Sequence, residues 1–174
     1  MSRLNPPVSV TDHRAGPDDA PVTLVEYGDY ECPSCAQAQP IVREARRALG
    51  KNLRIVFRHF PLSQMHPHAV RAAEAAEAAD DQGKFWEMHD RLFAHQDELE
   101  DADLVRDARE LELDAALFER ELTTDMHVDR VREDFRSGMR SGVNGTPTFF
   151  INGRRYDGQW DLENLVEALE AEIG

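Results

Sequence analysis

The two cysteines of the chain, Cys32 and Cys35, stand two residues apart in the stretch VEYGDYECPSCAQAQP. No other feature narrows the possible folds as much, because the pair falls where an apolar strand gives way to a helix. Val22 and Leu24, with the β-branched Thr23 and Val25, form the strand. Pro33 suits the first position of a helix, where a missing N–H costs nothing. Ile41, Val42, Ala45 and Leu49 then recur at helical spacing, and Gly50 is a natural stop. Pro40 lies inside this pattern and is expected to kink it. NLRIVFRHF follows as a second strand, with Leu53, Ile55 and Phe57 alternating. The order is strand, helix, strand: a βαβ unit with its cysteines at the top of the first strand.

From Ser63 to Gly142 the character changes to several short amphipathic helices with no strand among them. PHAVRAAEAAEAADDQG is Ala-rich and ends at Gly83. KFWEMHDRLFAHQ places Phe85, Met88, Leu92 and Phe93 near one face, and Val128, Val131 and Phe135 share a stripe farther on. DADLVRDAREL and DAALFEREL are each expected to open on an Asp cap. Strands return with TPTFFI and RRYDG, which flank Asn152-Gly153, a strong signal for a tight hairpin because both turn positions need positive φ. Asp161 caps a last helix whose Leu162, Leu165, Val166 and Leu169 are expected to face inward. Residues 1–20 read as an extended arm, 21–62 and 143–174 as the two halves of one α/β domain, and 63–142 as an inserted all-helical subdomain.

A formal net charge of −14 repels phosphate backbones and anionic lipid, so neither nucleic acid nor a membrane surface is an expected partner. The first twenty residues are polar and Pro-rich, with no apolar run, and read as neither signal peptide nor anchor. The expected location is the cytoplasm, with export only if a signal was removed; thiols there are kept reduced.

Three chemistries compete for the cysteine pair. As a staple, it closes a loop of four residues, contributing at best about 2 kcal/mol. As a metal site it needs about four ligands; His66 and His68 could be recruited, but they fall in a separate helical stretch, and no metal is expected. As a redox pair it has a mechanism. A cysteine at a helix N-terminus meets unsatisfied N–H groups and the positive end of the dipole, which stabilise a thiolate, the attacking form. Cys32 stands at that end, and Cys35 lies one turn deeper, so the outer sulfur can attack and the inner one resolve. Glu26, in the first strand among apolar neighbours, is either an exposed strand residue or a buried acid able to exchange protons near neutrality. The GTP sequence at Gly145, Thr146 and Pro147 opens a strand. Its proline is either an ordinary trans proline or a cis one that would leave the Thr146 backbone free for a substrate chain.

The pieces PVTLVEYGDYECPSC, RIVFRHFPL and GVNGTPTFFINGRRYDG, in that order, resemble the thioredoxin superfamily, and more closely its DsbA-like branch. The resemblance implies a thioredoxin fold, βαβ and ββα around a mixed sheet, carrying an inserted helical subdomain. It implies that Cys32 is the nucleophile, Cys35 the resolving thiol and Glu26 a buried proton relay. It further implies that Pro147 is a cis proline facing the cysteines, with Thr146, Pro33 and Ser34 completing the substrate-facing set. Pro40 matches the family's helix kink, and packing explains His59 and Pro61. Strongly oxidising members have a His where this chain has Ser34, and Glu31 is expected to raise the pKa of the Cys32 thiolate further, so a weaker oxidant is expected.

The expected function is a thiol–disulfide oxidoreductase acting on protein disulfides or dithiols without a bound cofactor, recycled by glutathione or a thioredoxin-type system. One rival is a glutathione-dependent isomerase or transferase, whose activity would not need Cys35. Another is a chaperone-like binding module, which would work equally well without either cysteine.

Overall fold

The computed structural model describes residues 2–174. It contains strands β1 (His13–Ala15), β2 (Val22–Gly28), β3 (Leu53–His59), β4 (Thr148–Ile151) and β5 (Arg154–Tyr156). Helices are α1 (Pro33–Leu49), α2 (Ala69–Asp80), α3 (Phe85–Ala94), α4 (Asp101–Glu110), α5 (Ala115–Thr123), α6 (Val128–Arg140) and α7 (Leu162–Glu170). The strands form one mixed sheet in the order β1-β3-β2-β4-β5. Only β2 and β3 run parallel, Val22 opposite Leu53 through Gly28 opposite His59, as the crossover through α1 requires. This is the thioredoxin fold with helices α2–α6 inserted between β3 and β4.

The central strand β2 is buried along its whole length, so it reads as a continuous apolar run rather than an alternating one. On one face of the sheet, Val22, Leu24, Ile55 and Phe149 pack with Ala38, Val42 and Ala45 of α1 and Leu165 and Leu169 of α7. Leu162, expected inward, is 40% exposed: it is the first residue of α7 and lies beyond the sheet's reach. α1 continues through Pro40 as a single helix. On the other face, Val25, Tyr27, Val56, Phe60 and Phe150 meet Phe135 of α6. That helix can sit close because residue 138 is glycine; a Cβ there would lie 2.6 Å from the Phe60 ring. A third cluster joins α2, α3, α4 and α5 to Tyr30, Cys32, Cys35 and Phe57, so the cysteines sit at the seam between sheet and insertion.

One of the two expected Asp caps holds and the other shifts by one position. Asp114 caps α5 by accepting from the Leu117 amide, but α4 opens on Glu100, whose side chain forms a capping box with Asp103. Asn152 and Gly153 make the β4–β5 turn, both with positive φ.

The N-terminal residues form more than an extended arm. Residues 13–15 add β1 to the outer side of β3. Residues 2–4 run beside β5, with the Leu4 amide donating to Gly153 O at 2.9 Å and the Arg155 amide to Ser2 O at 3.1 Å. Between these points the arm is held by Arg58. Its buried guanidinium donates to both oxygens of Asp12 (2.8 and 2.9 Å), to the carbonyls of Pro6 and Pro7, and to the Tyr27 hydroxyl. Short polar stretches rich in proline carry no periodicity, which is why pattern reading finds no strand there.

Candidate active site

The β2–α1 turn is built around Asp29, which is 2% exposed. Its Oδ1 accepts from the Glu31 amide at 2.7 Å, and its Oδ2 from the Leu62 amide at 2.9 Å and from His66 Nδ1 at 2.8 Å. Its carbonyl accepts from the Cys32 amide at 3.1 Å. Cys32 is thereby fixed as the N-cap of α1, with Pro33 in the first turn. From the insertion, Gln96 Nε2 donates to the carbonyls of Tyr30 (2.9 Å) and Cys32 (2.8 Å), closing the turn from the other side. Buried carbonyls need such partners, and here a single amide supplies both.

Both cysteines are free thiols. Cys35 is fully buried; Cys32 is 7% exposed, and its Sγ lies 3.6 Å from Thr146 O, to which the protonated thiol donates. The acidities of the two sulfurs are driven apart. The Cys32 thiol is lowered to about 5, chiefly because Cys35 hydrogen-bonds to its thiolate, with Thr146 and the amides of Ser34 and Cys35 adding to the effect against burial. Cys35 is pushed far up by donating that same hydrogen bond, by burial, and by the negative charges of Glu26 and Cys32. The expectation that Glu31 would raise the Cys32 pKa is not met. Glu31 turns away to His68, accepting from its amide at 2.9 Å and bonding its Nδ1 at 2.7 Å.

Glu26 is buried in β2, opposite Phe57 and Phe149, and its Oε2 has no hydrogen-bond partner. Burial, and then the charge of Cys32, raise its pKa to about 8. The neutral acid is therefore the form the fold prefers. Its contribution to stability is complete below the ordinary value of 4.5 and is lost as pH rises through about 8. Between pH 5 and 9 the native chain should lose on the order of 3–5 kcal/mol relative to Glu26→Gln, measured by urea unfolding at each pH. Parallel pH curves for the two proteins would show that Glu26 does not titrate there.

The Thr146–Pro147 bond is cis, and Thr146 and Pro147 face the cysteine turn just before β4. The Thr146 hydroxyl is buried without a partner. Pro33 is exposed and Ser34 half-buried beside them. Cys32, Cys35, Glu26, Thr146, Pro147, Pro33 and Ser34 thus come together at one end of the sheet. His66 and His68 do not join the cysteines as ligands; each is committed to a carboxylate. Asp29 and Gln96 belong to the site and were not anticipated, and His66, weighed only as a metal ligand, belongs to it through Asp29. A polar residue before a turn, a loop histidine and a helix-end glutamine carry no pattern that marks them.

A family model described as "Thioredoxin" matches residues 8–171. Among solved structures, oxidised BdbD from Bacillus subtilis superposes with a TM-score of 0.84 at 25% identity, covering 93% of this chain and 92% of that one. A thioredoxin-like oxidoreductase from Silicibacter pomeroyi DSS-3 gives 0.83 at 27% identity, over 95% and 94%. Among curated relatives, a protein named Na(+)/H(+) antiporter NhaA 1, from Salinispora arenicola, is 53% identical over 158 residues, which are 91% of this chain and 24% of that protein. The chain therefore spans about a quarter of the length of the curated relatives it matches. Among the described residues no helix is long and apolar enough to cross a membrane. By its fold, the position of its dithiol and the extent of the match, this chain belongs to the thioredoxin family.

Proposed function

We propose that the chain is a protein thiol–disulfide oxidoreductase that exchanges disulfides through Cys32 and Cys35. The observation that carries this reading is the placement of the pair, Cys32 as the N-cap of α1 beside Thr146 and Cys35 fully buried one turn deeper, an arrangement that drives the outer thiol down and the inner one up. The Cys32 thiolate attacks a client disulfide, forming a mixed disulfide and releasing one client thiolate. Once the Cys32 charge is consumed in the mixed disulfide it no longer raises the Glu26 pKa; the Glu26 carboxylate takes the Cys35 proton, and the Cys35 thiolate attacks the Cys32 sulfur, releasing the second client thiolate. The client disulfide gains two electrons and the pair becomes a disulfide; the reverse sequence oxidises a client dithiol. Thr146 and Pro147 hold the client's extended chain beside Cys32, with Pro33 and Ser34 as the adjoining surface. No cofactor enters these steps, and glutathione or a thioredoxin-type protein resets the pair. The antiport in the relatives' names is not part of this reading, because the stretch shared with them is the dithiol fold itself.

The test uses the whole chain. Reduced protein mixed with a disulfide-bonded protein client should lose its two thiols for each client disulfide opened, followed by thiol-specific alkylation and mass analysis. A client left intact, with the thiols of the chain unconsumed, overturns the proposal.

A further inference from the structure

The motif has Ser34 where a charged group could have sat beside the thiolate, yet a histidine reaches the same turn from elsewhere. His66 lies in the segment between β3 and α2, with its amide bonded to Leu62 O at 2.8 Å. Its Nδ1 donates to Asp29 Oδ2 at 2.8 Å, and that carboxylate has no exposure to solvent. Asp29 in turn holds the Cys32 amide through its carbonyl, so nucleophile and imidazole are anchored on one residue. With Nδ1–H engaged, Nε2 is left without a protein partner among the described residues, on a side chain that is 15% exposed. The charged groups facing His66 are Asp29, Glu31 and Cys32, all from the β2–α1 turn. Its neighbour His68 is occupied by Glu31 and by Glu100, the N-cap of α4.

We propose that His66, oriented by Asp29, is a positioning residue for the Cys32 thiolate, supplying from the β3–α2 segment the cationic partner that the motif itself lacks. The inference rests on the oxidoreductase reading for its purpose, but not for its test. Burial works against the imidazolium, and the Asp29 hydrogen bond with the charges of Asp29, Cys32 and Glu31 outweighs it, so the His66 pKa stands above the usual 6.5. Coupling of this kind is reciprocal: whatever the thiolate does for the imidazolium, the imidazolium does for the thiolate. When the cysteines become a disulfide the negative charge on sulfur disappears, and His66 must release its proton more readily. Reduction of the pair is then linked to proton uptake at a residue outside the motif.

Two measurements decide it. Titration of the His66 ring by NMR, assigned by difference from His66→Gln, should give a higher pKa in the reduced protein than in the oxidised one. In His66→Gln, which keeps a donor toward Asp29, the Cys32 thiolate followed by its ultraviolet absorbance should titrate about one pH unit higher, a tenfold change in the acid constant. A merely structural role would alter folding without moving either pKa. Equal His66 values in the two redox states, or an unmoved Cys32 titration in a folded variant, overturns the proposal. If instead the wild-type chain exchanges no client disulfide while both shifts appear, the electrostatic inference stands and the oxidoreductase reading is what fails.

Discussion

Cys32→Ser should abolish disulfide exchange, whereas Cys35→Ser should leave the first chemical step intact and accumulate client bound through Cys32. The asymmetry follows from burial and acidity. With a pKa of about 5, Cys32 is roughly 99% thiolate at pH 7. Cys35 is fully buried, and its thiol holds its proton far into the alkaline range. Removing the outer sulfur therefore leaves nothing able to attack, and the rate should fall by roughly a thousandfold or more. Removing the inner sulfur also removes the leading hydrogen bond to the thiolate, so Cys32 in that variant should titrate upward while still reacting. Client reduction and the covalent adduct, read by mass spectrometry, separate the two outcomes. Wild-type exchange by Cys32→Ser would end the reading.

The second large effect is one of stability. Arg58→Ala should destabilise the fold by about 3–5 kcal/mol, because it leaves the Asp12 carboxylate buried without its counter-charge. The loss is a large fraction of the net stability of an ordinary domain. It also frees the Pro6 and Pro7 carbonyls and the Tyr27 hydroxyl of one donor each. A double variant, Arg58→Met with Asp12→Asn, removes both charges and should recover much of the loss. Urea midpoints for the three proteins provide the check; an Arg58→Ala midpoint equal to wild type would mean that the arm is not held by this pair.

What the sequence made legible follows the range of each interaction. Strand β2, helix α1 and strand β3 are local patterns, and their apolar residues repeat at the period of the element they build. The Asn152-Gly153 turn is local too, since positive φ selects those residues. Cys32 and Cys35 carry a readable mechanism because their chemistry depends on a helix end four residues long. Glu26 was only half legible: the strand placed it among apolar neighbours, but its burial depends on β3 and β4, which flank it in space rather than in sequence. The roles of Asp29, His66 and Gln96 were not legible because the bonds that join them to the site from elsewhere, Asp29 to Leu62 and His66 and Gln96 to Tyr30 and Cys32, span 30 residues or more. Glu31 misled for a related reason, since its neighbour in sequence is Cys32 but its partner in space is His68.

The arm that bonds beside β5 and then pairs along β3 has a consequence for the molecule in company. A five-stranded open sheet has two rims, and each rim is a row of N–H and C=O groups on which a second chain could add a strand. Here one covalent segment lies at both, supplying the short edge strand β1 over β3 and running residues 2–4 beside β5, so protection against stacking of one molecule on another is concentrated in the first fifteen residues. Losing them would uncover two templates at once rather than one.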